Sequence, residues 1–154
     1  MSPLLPASQR SVRSKLDVWR SLIQVYVSVS DQLAAALHER HQLSLSEFDA
    51  LVNMPSESVR INELKERMLL SQSAVSRLVD RLEKRGLLEK VPCEDDLRGV
   101  EVALTTAGRR LRSKAIRTNA EVVDEHFASP LTADQLAALG EAFTEIKRQK
   151  KLGA

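Results

Sequence analysis

Residues 71–86 read SQSAVSRLVDRLEKRG, and residues 87–104 continue LLEKVPCEDDLRGVEVAL. In the first run Val75, Leu78, Val79 and Leu82 recur at i, i+3, i+4 and i+7, a spacing that gathers apolar side chains on one face of an α-helix. Ser71 suits the cap at its start, and Gly86 suits the left-handed residue that ends it. Ser73, Arg77, Asp80 and Lys84 fall on the opposite, polar face. After Gly86 the apolar period drops from about 3.6 residues to about 2. LLEKVP and VEVAL therefore read as two short strands, and CEDDLRG between them carries the Asp and Gly of a turn.

Upstream, Asn62 is expected to cap a helix with Leu64 and Met68 turned inward, a tight turn away from Ser71. Helix, turn, helix, hairpin is the order of a winged helix. Before it, Ser46 is expected to cap a short helix with Phe48, Leu51 and Val52 on one face, ending near Met54 and Pro55. Leu16, Trp19, Ile23, Tyr26, Leu33 and Leu37 mark a long amphipathic helix over 14–41, and residues 1–12, with Pro3 and Pro6, read as a loose arm. Downstream, Thr105 or Thr106 caps a long helix to about Ser129, which Pro130 breaks. A last helix runs from Thr132 to about Lys150 with Leu136, Leu139, Phe143 and Ile146 on one face. The expectation is a mainly α fold, a single domain over 1–154. It consists of a winged helix-turn-helix lobe with a small β-hairpin wing over 46–104, and dimerisation helices over 14–41 and 107–150 whose apolar faces are too long for one small lobe to cover.

The chain of 154 residues is 43% apolar, enough for a core, and has only five Gly and five Pro. No apolar run approaches the roughly 20 residues that span a bilayer, and Met1 to Pro6 lacks a basic segment followed by an apolar one. A cytoplasmic protein with no membrane partner is expected. Cys93 is the single cysteine, so no intrachain disulfide can form. The net charge of +2 is unevenly spread: residues 58–117 carry 14 basic and 9 acidic groups, against 5 and 6 before them and 4 and 6 after. Such a basic centre suits a polyanion-facing module, although solvated helix faces produce similar imbalances.

The major groove of DNA admits one α-helix, whose leading residues meet base edges and whose N-terminal N–H groups face phosphates. Gln72, Ser73, Ser76 and Arg77 are suitable groups for that end. Arg77 has the fork for a guanine, Gln72 the amide for an adenine edge, and the hydroxyls bind phosphate. An ordinary surface helix of a bundle would also carry such residues. The hairpin weighs toward DNA, because a wing beside a recognition helix reaches the neighbouring minor groove, whose negative potential attracts arginine. Arg98 is the only base at that tip, Gly99 allows the tight turn, and Asp96 is placed to orient a guanidinium.

The run from Ile61 to Gly108 resembles the DNA-binding lobe of MarR-type transcriptional regulators, through SRLVDRLEKRGLLEK at 76–90, DLRG at 96–99 and VALTTAG at 102–108. The resemblance implies a two-fold homodimer that offers one winged helix per protomer to a palindromic double-stranded DNA operator, as a repressor. It matches Gln72, Ser73, Ser76 and Arg77 to the recognition positions, Arg98 to the minor-groove arginine of the wing and Asp96 to its acidic partner. Leu69 departs from the pattern, since such turns usually carry Gly there. The resemblance also implies release of DNA by a small aromatic, phenolic or anionic effector. Trp19, Ile23, Tyr26, Phe48 and Leu51 are its candidate lining, against the plainer reading that these residues are interface core.

Acidic neighbours at Glu94, Asp95 and Asp96 argue against a reactive Cys93 thiolate. His38 and His41, at i and i+3, lack the further ligands of a metal site. Neither a catalytic constellation nor a phosphate-binding glycine loop is present in the sequence, so no enzyme activity, metal or cofactor is expected. The alternative function is a helical protein-interaction module whose winged helix binds a partner protein.

Overall fold

The computed structural model describes residues 7–68, 72–93, 95 and 99–150. They form α1 (Ala7–His41), α2 (Leu45–Asn53), β1 (Val59–Arg60), α3 (Ile61–Met68), α4 (Gln72–Lys84), β2 (Leu88–Pro92), β3 (Val100–Leu104), α5 (Thr106–Val123), a π-helical turn (Asp124–Ala128) and α6 (Ala133–Lys150). The chain divides into two compact units, one of Leu33–Glu121 and one of Met1–Gln32 with Val122–Ala154.

The Leu33–Glu121 unit has a continuous core. Leu37, Leu43, Leu51 and Leu64 are fully enclosed with Val75, Leu78, Val79 and Leu82 of α4, and Leu88, Val102 and Leu104 close it from the sheet. The apolar stripe of α4 is thus buried as its spacing predicts, while Ser73, Arg77, Asp80 and Lys84 stand exposed on the other side. At the end of α4, Gly86 takes φ +72. The Gly86 N–H bonds to the Glu83 carbonyl at 2.8 Å and the Leu87 N–H to the Leu82 carbonyl at 2.9 Å, the paired bonds of a Schellman cap, with buried Leu82 and Leu87 as its hydrophobic contact.

The wing strands lie where the two-residue period put them, but the sheet gains a third member. Among the described residues the strand order is β1-β3-β2, all antiparallel, with Val59 opposite Val102 and Leu88 opposite Leu104. β1 is only two residues long, too short to show a period, and runs directly into α3. Asn62 consequently sits inside the first turn of α3 instead of capping it.

Three other boundaries shift. Helix α1 begins at Ala7, so residues 7–12 are helical where a loose arm was expected. The cap of α2 is Ser44 rather than Ser46: the Ser44 hydroxyl accepts from the Glu47 N–H while the Glu47 carboxylate accepts from the Ser44 N–H. A capping box needs a long acid three residues on, and Ser46 has the shorter Asp49 there. The helix after the wing is α-helical only to Val123, and its last turn is π-helical, closed by a 2.7 Å bond from the Ser129 N–H to the Asp124 carbonyl. Thr132 and Gln135 then form a reciprocal box that opens α6.

Helix α5 is docked on the lobe by polar contacts along its length. The Thr105 hydroxyl donates to the Gly86 carbonyl at 2.6 Å and accepts from the Gly108 N–H at 3.0 Å. Arg112 donates to the Met54 carbonyl at 2.9 Å. Further along, buried Thr118 meets His41 Nε2 through its hydroxyl at 2.8 Å, beside the Arg40 to Glu121 ion pair.

Burial of the His41 ring, with repulsion from Arg40 and Lys114, lowers its pKa from the ordinary value. The unfolded chain therefore takes up a proton more readily than the folded one. His41 contributes stability that is present above the unfolded pKa of about 6.5 and is lost as pH falls through the lower, folded value. Urea midpoints should fall as pH drops from about 7 to about 5, and less steeply in His41→Gln. Identical pH profiles for the two proteins would refute this.

In the unit of 1–32 with 122–154, the described apolar side chains are mostly uncovered. Leu16, Val18, Trp19, Leu22, Ile23, Val25, Tyr26 and Val27 of α1 are exposed, with Leu136 and Ile146 of α6. Val122 is its only buried apolar residue among those described. No described helix is long and apolar enough to cross a membrane.

Candidate nucleic-acid interface

The front of α4 is a graded surface. Gln72 is its first residue, Ser73 and Arg77 are exposed, and Ser76 is half-buried one turn from the start. The described side chains of the expected recognition group thus share the solvent-facing N-terminal half of one helix whose back is locked into the core. The side chain of Gln72 lies outside the described residues, as do Asp96, Arg98 and the whole of Leu69.

What fixes the direction of α4 is a set of ion pairs that sequence reasoning missed. On one side Lys90 of β2 reaches Asp80 at 3.0 Å and Glu83 at 3.3 Å, tying the wing to the helix. The hydrogen bonds that Lys90 donates to Asp80 and Glu83, together with the charges of those acids, raise its pKa above the ordinary value. On the other side Glu47, whose side chain is only 12% exposed, accepts from Arg85 at 3.1 Å and lies 3.8 Å from Arg81. Arg85 also donates to the Gln42 carbonyl at 2.9 Å and the His41 carbonyl at 3.4 Å, closing the end of α1 where Gln42 adopts φ +53. The Ser44/Glu47 box was legible in the sequence as S-x-x-E. Its second use, as an anchor for α4, required knowing that α2 and α4 pack together.

Arg77 differs from these cations: among the described residues it makes no ion pair. An exposed guanidinium in the leading half of such a helix keeps all its donors available for a ligand.

At the base of the wing, the Cys93 N–H bonds to the Gly99 carbonyl at 3.3 Å, closing the hairpin below its tip. The Cys93 thiol is 5% exposed, accepts from Arg60 Nη2 at 3.2 Å and donates to Glu101 Oε1 at 3.5 Å. Glu101 also accepts from the Ser58 hydroxyl. Among the described residues the thiol's polar partners are Arg60 and Glu101, from β1 and β3, while Glu94 and Asp96, to which the sequence drew attention, lie outside the described residues.

The effector candidates separate. Trp19, Ile23 and Tyr26 are exposed on α1 at 60%, 43% and 70%, while Leu51 is wholly enclosed in the lobe core, against which Phe48 packs half-buried. His41 is engaged with Thr118, and no group of three or more His, Cys, Asp or Glu among the described residues is arranged to hold a metal ion.

This architecture is shared with solved proteins. It superposes with a TM-score of 0.76 on AbsC, a MarR family transcriptional regulator from Streptomyces coelicolor, at 23% identity over 99% of this chain and 100% of that one. A second MarR family regulator from that organism, Sco3205, solved in complex with DNA, matches at 0.74 and 24% identity over 96% and 91%. The multiple antibiotic resistance protein MarR of Escherichia coli (strain K12) is 34% identical over 77 residues, half of this chain and 54% of that protein. The MarR family model matches residues 41–99, the segment that contains α2, the two helices of the helix-turn-helix and the first wing strand, β2. Over that segment the chain is similar to the MarR family, and its fold is that of MarR regulators. The winged helix is thus the part of the chain that carries the likeness, and the ion pairs of Glu47 and Lys90 hold its second helix against α2 and β2.

Proposed function

We propose that this protein is a MarR-type regulator, a cytoplasmic repressor that binds a palindromic operator as a homodimer. The observation that carries the reading is the contrast on α4. Arg81 and Lys90 are tied to acids within the lobe, as is Arg85, whereas Arg77, beside Ser73 and Ser76, makes no ion pair among the described residues. The helix is thereby braced by one set of cations and left with another to meet DNA. Gln72, Ser73, Ser76 and Arg77 enter the major groove, and Arg98, oriented by Asp96, enters the adjacent minor groove. The uncovered apolar faces of α1 and α6 support a second copy as partner, which puts the half-sites about one helical turn, roughly 34–36 Å, apart. Release by a small aromatic or phenolic effector belongs to the same reading. The exposed rings of Trp19 and Tyr26 support it, and the enclosed Leu51 is not a lining residue in this form of the lobe.

Arg77→Ala and Arg98→Ala are each expected to weaken operator binding by about 1–3 kcal/mol, roughly tenfold to a hundredfold, with the dimer and the thermal midpoint unchanged. The measurement is a gel-shift titration on a fragment selected from genomic DNA by the purified protein. Unchanged affinity in both variants would overturn the placement of the two arginines. Operator affinity should also fall steeply with salt, because neutralised phosphates release counterions. A winged helix docking on a protein through apolar contacts would lack that dependence.

A further inference from the structure

Helix α5 carries an arrangement of charge that its own stability disfavours. From Thr105 to Asn119 it holds Arg109, Arg110, Arg112, Lys114 and Arg117 and no acid. Arg109 and Arg110 stand near the helix N-terminus, where the backbone dipole repels cations, and the first turn has no acid to offset them. Arg110 and Lys114 at i, i+4 and Lys114 and Arg117 at i, i+3 are like-charge neighbours. Helix α6 has the opposite, favourable order, with Asp134 in its first turn, Lys147, Arg148 and Lys150 in its last, and Arg148 paired with Glu145 at 2.8 Å. On α5 only Arg112 is spent, on the Met54 carbonyl. Arg109, Arg110, Lys114 and Arg117 are exposed and make no ion pair among the described residues, and the nearest acid along the helix, Glu121, is held by Arg40.

The chemistry of the face indicates what offsets that repulsion. Thr106, Ala107, Arg110, Ser113, Lys114 and Arg117 share one side of α5 by helical spacing, and all are exposed. The side has hydroxyls and cations but no apolar side chain larger than alanine, and exposed Ile116 projects elsewhere. Protein interfaces have apolar centres from which charge is depleted. Phosphodiester backbones are held by Arg, Lys, Ser and Thr, with no apolar contact required. The cations step about 6 and 4.5 Å along the helix axis, a row suited to successive phosphates.

We propose that the Arg110, Lys114 and Arg117 face of α5 is a second, sequence-independent binding surface for the nucleic-acid phosphate backbone, separate from the α4 front. The phosphates come either from DNA flanking the bound segment or from a second duplex. The test compares the full-length protein with R110Q/K114Q/R117Q, in wild-type and Arg77→Ala backgrounds, by fluorescence anisotropy on 60-base-pair and 15-base-pair duplexes of arbitrary sequence across a salt series (about 50 to 200 mM). The triple variant is expected to bind at least tenfold more weakly at low salt, with a log affinity against log salt slope shallower by about 2–3. The drop should appear in both backgrounds, which separates this surface from the reading of Arg77. A loss confined to the long duplex assigns the phosphates to flanking DNA. If the duplex slopes agree and the triple variant instead fails to bring a labelled second duplex to an immobilised one, the phosphates are those of a second duplex. Wild-type slopes and wild-type bridging in the triple variant would overturn the proposal. So would a fall of several degrees in its thermal midpoint, because cations that repel one another across α5 do not stabilise the fold when left unliganded.

Discussion

Replacing Gly108 with alanine is expected to destabilise this protein by about 3 kcal/mol, toward the upper end of what overpacking costs. A Cβ built at this position falls 2.0 Å from the Leu87 carbonyl oxygen, 3.0 Å from its carbon and 3.1 Å from a methyl of Leu104. The obstruction is backbone, and that carbonyl already accepts the Thr105 N–H at 3.2 Å, so it cannot retreat without breaking the junction between α4, β3 and α5. Gly140 of α6 provides the control, because a Cβ there meets nothing within 4 Å. Gly140→Ala should stabilise by about 0.5–1 kcal/mol through helix propensity alone. Urea unfolding of both variants tests the pair, and equal midpoints would mean that α5 does not approach Leu87 as described.

The second large effect is expected in the unit of 1–32 with 122–154, where Val122 is the one buried apolar residue among those described. In the proposed homodimer, Leu136→Asp combined with Ile146→Asp on α6 should give a monomer and lower operator affinity by at least a hundredfold. Both side chains are substantially exposed in the single chain, at 41% and 53%. A monomer gains nothing from their apolar character, whereas a dimer that buries them must desolvate two carboxylates per protomer without partners. Losing the dimer also removes simultaneous engagement of two half-sites, which multiplies affinity well beyond that of one site. Analytical ultracentrifugation and gel shift on the same samples test both parts, with circular dichroism confirming an intact lobe. A variant that remains dimeric at micromolar concentration would show that these residues lie outside the interface, and a monomer with native operator affinity would remove the need for a dimer.

Much of the lobe was legible because its information is local. The α4 stripe, the Gly86 cap and the change of period at the wing each depend on residues within a turn or two of one another. The errors have the same origin. β1 is two residues long and exists only because β3 offers it hydrogen bonds, so nothing in Val59 and Arg60 announces a strand. The Ser44 cap, by contrast, is local information, since Glu47 is the acid three residues after Ser44. The bracing of α4 by Glu47 and Lys90 was hidden for a different reason, as it joins elements 38 residues apart in one case and 10 in the other.

The sequence by itself determined the order of the α-helices and of the two wing strands, the buried back and polar front of α4, and the family resemblance that reads Arg77 and Arg98 as DNA-facing. All of these follow from side-chain periodicity and short motifs. Tertiary structure alone decided which cations are free for a ligand: Arg81, Arg85 and Lys90 look no different from Arg77 in the chain, and only the packing of α2 and β2 against α4 supplies their acids. It alone decided why Gly108 must be glycine, and why Leu51 is core while Trp19 and Tyr26 remain uncovered. The physical reason is range. Helical spacing is set by bonds between near neighbours, whereas the pairing of a charge or the enclosure of a methyl group depends on which distant surface the folded backbone brings within a few ångströms.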